Sequence, residues 1–213
     1  MEQLLFGTDT DTTAEMARLL LNHLSHAQAF GLNDPVASEE PGVYALYYDN
    51  DECPLYGGLT DDMPLYVGKA GQRLSDRLRK HAASIQSAEN LTIEHFMVRV
   101  LPIRECVVSA AETVLINEYA PMWNTVITGF GNNPPGRGRS EQRRSAWDTL
   151  HPGRSWAAVL AVDRPRSQIV YDVKQWCVER HRPAPVIAVA DEIVITDLTS
   201  TKSFDNSLVS SAT

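Results

Sequence analysis

Apolar and polar positions follow two different periods along the first part of the chain. Near the N-terminus, apolar residues recur three and four positions apart, which predicts an amphipathic helix capped by Thr10 or Asp11 and extending to about Phe30. Residues 31–42 carry turn-forming residues at both ends, so we expect a linker that leads into the core.

Short runs of branched and aromatic residues come next and predict strands. Residues 43–48 and 65–67 are separated by an acidic, glycine-containing loop, which favours an antiparallel hairpin with a long insert. Residues 92–103 predict a third strand.

Helical spacing returns in residues 74–88 and 107–119. In the first of these helices the apolar residues share one side, and Arg73, Arg77 and His81 lie four positions apart beside it. The predicted core therefore runs strand, strand, helix, strand, helix. This order predicts an α+β fold, with a small three-stranded antiparallel sheet flanked by helices.

The pattern changes after Asn124. Residues 129–139 contain too much glycine and proline for regular structure and predict an arginine-bearing loop, whereas a helix is expected at about 167–180 and a late strand at 186–195. The predicted divisions of the chain are a helical arm and linker (1–40), a core (41–126), an extension (127–199) and a disordered tail (200–213).

Composition narrows the class of protein. The hydrophobic share of 43% is ordinary for a globular protein, and no apolar run approaches the ~20 residues of a membrane span. The three cysteines have no C-x-x-C spacing, so neither a disulfide framework nor a zinc site is indicated. The first residues lack the pattern of a secretory signal. We expect a cytoplasmic protein without a membrane partner.

Charge at first argues against a nucleic-acid partner, because the net charge is −8 and DNA affinity depends on cations. The cations are nevertheless clustered in two basic islands. The first comprises Lys69, Arg73, Arg77, Arg79, Lys80, Arg99 and Arg104, and the second comprises Arg137, Arg139, Arg143, Arg144 and Arg154. This distribution permits DNA binding.

Glu112 is the most informative single residue, because it lies on the apolar face of the helix predicted at 107–119. An ionised carboxylate among apolar neighbours must be paired, protonated or bound to a metal. A structural ion pair is the ordinary interpretation of such a residue. The residues that accompany it favour a metal instead.

Two tripeptides lie on the first two predicted strands, Gly42-Val43-Tyr44 and Tyr66-Val67-Gly68. They are followed in order by Lys69, Arg77, His81, Glu112 and Asn124. This ordered set resembles the GIY-YIG nuclease family over about residues 40–126. The chain departs from the family pattern at Val43 and Val67, where isoleucine is commonest, at His81, where many members carry tyrosine, and in the length of the loop between the tripeptides.

The resemblance implies hydrolysis of a phosphodiester bond. Glu112 would hold one Mg²⁺ ion, with Mn²⁺ as a substitute, and Arg77 would offer fixed charge and planar donors to the scissile phosphate. Tyr66 would take the proton from water, and a cation such as Lys69 or Arg77 would favour its phenolate.

The remaining residues of the set have supporting roles. Tyr44 would orient the water, and Asn124 would hydrogen-bond within the site and hold the loop that follows the metal helix. His81 is the rival base, because it titrates near neutrality and lies one turn from Arg77.

Residues 129–156 are similar to the type II restriction endonuclease branch of this family, which implies cleavage at a GC-rich palindrome such as CCGCGG. A homodimer would match the two-fold symmetry of the site on double-stranded DNA, and a cognate DNA methyltransferase is expected in the same system without being a physical partner. The arginines expected to contact DNA are Arg73, Arg137, Arg139, Arg143, Arg144 and Arg154.

Three alternatives to a restriction enzyme stay open. The first is a repair, homing or structure-selective nuclease of the same family. The second is a noncatalytic DNA-binding protein with a nuclease-like core. The third, a small-molecule enzyme that uses Glu112 and His81 as acid and base, lacks the support of a phosphate loop or cofactor motif.

Overall fold

A computed structural model describes residues 9–35, 38–50, 55–56, 63–135 and 141–180 of the chain. The helices are α1 (Asp9–His26), α2 (Leu74–Ser87), α3 (Glu105–Tyr119), α4 (Met122–Thr125), α5 (Ala146–Leu150), α6 (Ser155–Ala158) and α7 (Arg166–Glu179). The strands are β1 (Phe30–Gly31), β2 (Gly42–Tyr48), β3 (Tyr66–Ala70) and β4 (Phe96–Pro102).

The strands form one sheet in the order β1-β4-β2-β3, and all its pairs are antiparallel. β2 lies inside the sheet and is buried along its whole length. The predicted α+β class and the order of the core elements are confirmed, including the hairpin of β2 and β3. The two-residue strand β1 is an addition to the predicted three strands. It pairs with β4, and α1 therefore ends at His26 rather than near Phe30.

Alternation along β2 divides the core between the two faces of the sheet. Val43, Ala45 and Tyr47 pack in one cluster with apolar residues of α1 and α3. Tyr44 and Leu46 belong to the other, larger cluster, which includes α2 and the buried residues of α5 and α7. The sheet is therefore covered on both faces.

The extension contains more regular structure than its composition predicts. Two short helices, α5 and α6, lie in the extension before the predicted helix at 167–180, which is observed as α7. α5 begins after Ser145, whose side chain accepts a hydrogen bond from the backbone of Asp148, and it buries Trp147 completely. The predicted late strand and tail lie outside the described residues. None of the described helices is both long and apolar enough to cross a membrane.

Candidate active site

The two tripeptides of the sequence form one packing unit on the sheet. β2 and β3 pair so that Tyr44 lies opposite Gly68, and the ring centroids of Tyr44 and Tyr66 are 6.2 Å apart. A Cβ atom on Gly68 would collide with the Tyr44 hydroxyl and lie 2.8 Å from the Tyr66 ring. Glycine at this position is what allows the two tyrosine rings to lie side by side.

Helix α2 brings His81 and Arg77 to the tyrosines from one of its faces. The Tyr44 hydroxyl and His81 Nε2 are 2.6 Å apart, and Arg77 Nε donates to the Tyr44 hydroxyl at 3.3 Å. The Arg77 charge also acts on Tyr66, whose pKa it lowers. The one-turn spacing of Arg77 and His81 therefore acts as the sequence predicts, because both side chains reach the same pair of phenols.

Burial sets the protonation of this cluster. It raises the pKa of the Tyr44 hydroxyl well above its usual value and also raises the pKa of Tyr66, although Arg77 opposes both shifts. Burial, the Arg77 charge and the Arg154 charge hold the pKa of His81 well below its usual value. Near neutral pH the histidine is therefore neutral and both phenols keep their protons. The expected lowering of the Tyr66 pKa by a cation is outweighed by desolvation.

Glu112 lies on the other face of the sheet, where α3 packs. Its carboxylate Oε2 is 2.8 Å from Lys69 Nζ, and the Glu112 side chain is 20% exposed. Lys69 Nζ also donates to the Ser109 hydroxyl at 3.2 Å. The Glu112 charge raises the pKa values of Tyr44 and Tyr66, so the carboxylate lies within electrostatic range of both phenols.

The donors around Glu112 fit one kind of metal ion. Among the described residues, no three histidine, cysteine or acidic side chains come together as a metal cluster. A single, partly exposed carboxylate suits Mg²⁺ or Mn²⁺, because a hard cation can keep several of its waters beside one protein oxygen. It does not suit a structural zinc site, which needs four protein ligands.

Asn124 binds the strand that carries Tyr66. Its Oδ1 accepts a hydrogen bond from the Val67 backbone N–H, and its Nδ2 donates to the Val67 carbonyl, both at 2.8 Å. The neighbouring backbone N–H of Trp123 donates to the Leu65 carbonyl at 2.9 Å. Asn124 thus ties α4, which follows α3, to the centre of the Tyr66-Val67-Gly68 motif.

A loop of the extension completes the cluster, and sequence reasoning missed its contribution. The Phe130 ring stacks on His81 with centroids 4.4 Å apart and an interplanar angle of 20°. A Cβ atom on Gly131 would lie 2.9 Å from the Tyr66 hydroxyl and 3.1 Å from Arg77 Nη2. We call residues 129–132 the 129–132 loop. The isolated aromatic residue in the glycine-rich stretch was the available signal for it.

The six arginines expected to contact DNA have different surroundings. Arg73 is exposed and lies 3.4 Å from Glu39, and Arg143 is exposed as well. Arg144 is half-buried and donates to the carbonyls of Ala157 and Ala158. Arg137 and Arg139 lie outside the described residues.

Arg154, the sixth arginine, points into the protein. Its side chain is 5% exposed, and its Nε is 2.6 Å from Asp148 Oδ1. Its guanidinium also donates to the carbonyls of Phe130 and Gly129, each at 3.1 Å. The structure therefore assigns Arg154 internal partners instead of a place on the surface.

A second buried tyrosine–histidine pair lies outside the cluster of Tyr44, Tyr66, Arg77 and His81. The Tyr56 hydroxyl bonds His151 Nε2 and accepts a hydrogen bond from Trp123 Nε1 at 2.9 Å. His151 Nδ1 lies 3.0 Å from Asn90 Oδ1. Burial lowers the pKa of His151 to about 3.

The match of this chain to a nuclease family identifies the protein as a DNA endonuclease, a hydrolase that acts on phosphodiester bonds. The chain belongs to the Eco29kI GIY-YIG domain family, because residues 70–177, just over half of the chain, match that family. The match includes Arg77, His81, Glu112 and the 129–132 loop, whereas the two tyrosines lie before it. No curated protein matches the chain.

Proposed function

We propose that the protein is a restriction endonuclease that cuts a short palindromic site in double-stranded DNA with one Mg²⁺ ion held by Glu112. The observation that carries the proposal is the joint cluster of Tyr44, Tyr66, Arg77 and His81, within electrostatic range of the Glu112 carboxylate. The family match supports the restriction branch, because it extends from the core through the extension to residue 177.

Glu112 is the metal ligand in this proposal, and Lys69 holds its carboxylate in place. The bound cation would polarise the scissile phosphate and stabilise the leaving 3′-oxygen. Neutralising Glu112 also has a consequence for the tyrosines. Because the Glu112 charge raises the pKa values of Tyr44 and Tyr66, a cation at the carboxylate would lower both.

Tyr66 is the proposed proton acceptor for the attacking water, in the phenolate form that a cation at Glu112 and the Arg77 charge would favour. Its side chain is 9% exposed, whereas Tyr44 is fully buried and His81 is 2% exposed. His81 contacts the Tyr44 hydroxyl through Nε2, so a base role for the histidine would act through Tyr44. In our proposal, His81 is neutral with Nδ1 protonated, and its Nε2 accepts a hydrogen bond from the Tyr44 hydroxyl. This bond fixes the direction of the hydroxyl, and Tyr44 orients the water.

Arg77 is the proposed electrostatic partner of the scissile phosphate. Its guanidinium is half-buried and already hydrogen-bonded to Tyr44, so its position is fixed before DNA binds. A planar, permanently charged group of this kind stabilises the negative charge that develops on the phosphate oxygens.

Site recognition is proposed on the same basis. A homodimer would present two such clusters to the two strands of a palindrome, with CCGCGG as the candidate sequence. Of the arginines expected to contact DNA, Arg73 and Arg143 are described and exposed, and we propose that they meet it. Our proposal gives Arg154 no contact with DNA, because its side chain is buried beside Asp148. The proposal also expects a cognate methyltransferase that protects the host site.

The test is cleavage of unmethylated plasmid or phage DNA by purified protein, with Mg²⁺ and with EDTA, followed by sequencing of the fragment ends. Ends that share one short palindrome, and only with the metal, support the proposal. A duplex containing CCGCGG and one with the same bases in scrambled order test the specific site. Random or structure-dependent nicking would indicate a repair or homing nuclease. Salt-sensitive binding without cutting would indicate a noncatalytic DNA-binding protein.

A further inference from the structure

We propose that Arg154 is a positioning residue for DNA cleavage, which with Asp148 fixes the 129–132 loop against His81, Tyr66 and Arg77. The inference rests on the catalytic roles proposed above. Arg154 lies in the second basic island and was therefore expected to contact DNA. The inference gives it a structural task inside the protein instead.

The first step is the anchor itself. Arg154 and Asp148 have side chains that are 5% and 2% exposed and lie 2.6 Å apart. The Ser145 hydroxyl donates to the second carboxylate oxygen, Asp148 Oδ2, at 2.7 Å. Because a buried guanidinium is stable only with its hydrogen bonds satisfied, the ion pair fixes the direction of the remaining donors.

The second step is the hydrogen bonding of those donors to the 129–132 loop. Arg154 Nη1 donates to the Phe130 carbonyl at 3.1 Å and to the Asn132 carbonyl at 3.4 Å. Arg154 Nη2 donates to the Gly129 carbonyl at 3.1 Å. One guanidinium thus binds three carbonyls of a four-residue segment, a task that suits the fixed fork of arginine and not the single ammonium of lysine.

The third step is the contact of the loop with the catalytic groups. The Phe130 ring covers His81, and its centroid is also 5.1 Å from that of Tyr66. The backbone at Gly131 approaches the Tyr66 hydroxyl and Arg77 so closely that an added Cβ would lie 2.9 Å from the phenol oxygen. A displaced loop would therefore move or hydrate the groups that act on the phosphate.

The electrostatic environment of His81 gives a measurement that does not depend on cleavage. The groups that face His81 are Tyr44 and Tyr66 from the strands, Arg77 from its own helix and Arg154 behind the loop. Loosening the loop would admit water to the imidazole, and its pKa would rise towards 6.5.

The experiment compares Arg154→Lys and Gly131→Ala with two matched controls. Gly71→Ala adds a methyl group where no atom lies within 4 Å. Arg166→Lys alters another arginine that donates to a backbone carbonyl, that of Leu150 at 3.3 Å. The measurements are DNA affinity, the single-turnover rate of bound DNA, thermal unfolding, and the NMR titration of His81, assigned with His81→Gln.

We expect single-turnover cleavage to fall roughly 100-fold in Gly131→Ala and at least about tenfold in Arg154→Lys, because small displacements of reacting groups have effects of this size. DNA affinity should stay within about twofold in both variants, since neither change removes a surface cation. The His81 pKa should rise in Arg154→Lys. Both controls should cleave at the wild-type rate.

Normal cleavage by folded Arg154→Lys would overturn the proposal, and so would a loss of DNA affinity at an unchanged cleavage rate. If Arg154→Lys does not fold, Asp148→Asn replaces it, because that change keeps the side-chain volume while weakening the anchor. A folded Asp148→Asn variant that keeps the wild-type cleavage rate and the wild-type His81 pKa would also overturn the proposal. Wild-type protein that cuts no DNA would refute the proposed function, and the His81 titration would still decide whether Arg154 anchors the loop.

Discussion

Among the described residues, two buried tyrosines are hydrogen-bonded to buried histidines, and our proposal gives only one of these pairs a part in catalysis. In each pair a tyrosine hydroxyl meets histidine Nε2, Tyr44 with His81 and Tyr56 with His151. Burial lowers the pKa of both histidines. Burial and a perturbed pKa therefore do not distinguish the two pairs.

The groups that are hydrogen-bonded to each tyrosine–histidine pair distinguish the two pairs. The Tyr56 hydroxyl accepts a hydrogen bond from the indole N–H of Trp123, and His151 Nδ1 lies 3.0 Å from Asn90 Oδ1. The charges of Arg166 and Arg154 act on His151 only at a distance. Tyr44 instead receives a hydrogen bond from the charged Arg77 and lies within range of the Glu112 charge. The two pairs therefore differ in the charged group that is hydrogen-bonded directly to the tyrosine, and this difference is the basis for proposing Tyr44 and His81 as the reactive pair.

The largest expected effect comes from removing Glu112, the carboxylate whose charge acts on Tyr44. Glu112→Ala should reduce Mg²⁺-dependent cleavage by at least about 1000-fold, because removing the metal ligand removes several kcal/mol of transition-state stabilisation. DNA affinity should persist. Glu118→Ala, an exposed change on the same helix, is the matched control in gel-shift and cleavage assays. Strong metal-dependent cutting by Glu112→Ala would rule out the metal role.

The next effect compares the Tyr66 hydroxyl, which lies beside the Tyr44–His81 pair, with the Tyr56 hydroxyl of the other pair. Tyr66→Phe should lower cleavage roughly 100-fold at every pH tested, because the proposed proton acceptor is lost. Tyr56→Phe should instead lower the unfolding free energy by about 1–3 kcal/mol and leave the cleavage rate of folded protein unchanged, since it leaves Trp123 and His151 without their partner. A near-normal rate in Tyr66→Phe would move the base to His81, acting through Tyr44.

Replacing the histidine of each pair by glutamine tests the comparison further. His81→Gln should lower the cleavage rate about tenfold or more, because it removes the neutral acceptor that orients Tyr44. His151→Gln should leave that rate unchanged and lower the melting temperature. Single-turnover kinetics and thermal unfolding of the two variants separate these outcomes. Equal loss of activity in both would show that the pairs are not functionally different.

The smallest effect is the pH dependence of stability. The pKa of His151 is about 3 in the folded protein and 6.5 for an ordinary histidine, as in the unfolded chain. The unfolded chain therefore binds more protons than the folded protein between these two pH values. Stability from this residue is complete above about pH 6.5 and falls by up to about 1.4 kcal/mol per pH unit below it. The stability difference between wild type and His151→Gln should therefore shrink from pH 7 to pH 5 in urea titrations. Parallel curves would contradict the assignment.

The sequence predicted the parts of the fold that local patterns determine. The order of core elements, the hairpin of β2 and β3, and the joint face of Arg77 and His81 all follow from residue spacing. Helix α2 differs from its predicted range by one residue at its end. These features depend on neighbours in the sequence, which periodicity reports directly.

The missed features depend on partners that are distant in the sequence. Arg154 is buried only because Asp148 and the carbonyls of the 129–132 loop converge on it, and an arginine in a basic island otherwise predicts an exposed cation. Phe130 likewise reaches His81 across 49 positions of sequence that periodicity cannot connect. The upward direction of the Tyr66 pKa followed from the extent of its burial, which no local pattern specifies.

The amide of Asn124 also affects how this protein can associate. β3 is the terminal strand of the sheet, and a bare strand edge invites pairing with a strand of another chain. Asn124 occupies both backbone groups of Val67, and Trp123 occupies the carbonyl of Leu65. The edge next to Tyr66 is therefore closed to strand addition at its centre. Fibre-like polymerisation through the centre of this edge is therefore disfavoured, because the backbone groups that an added strand would need are already occupied.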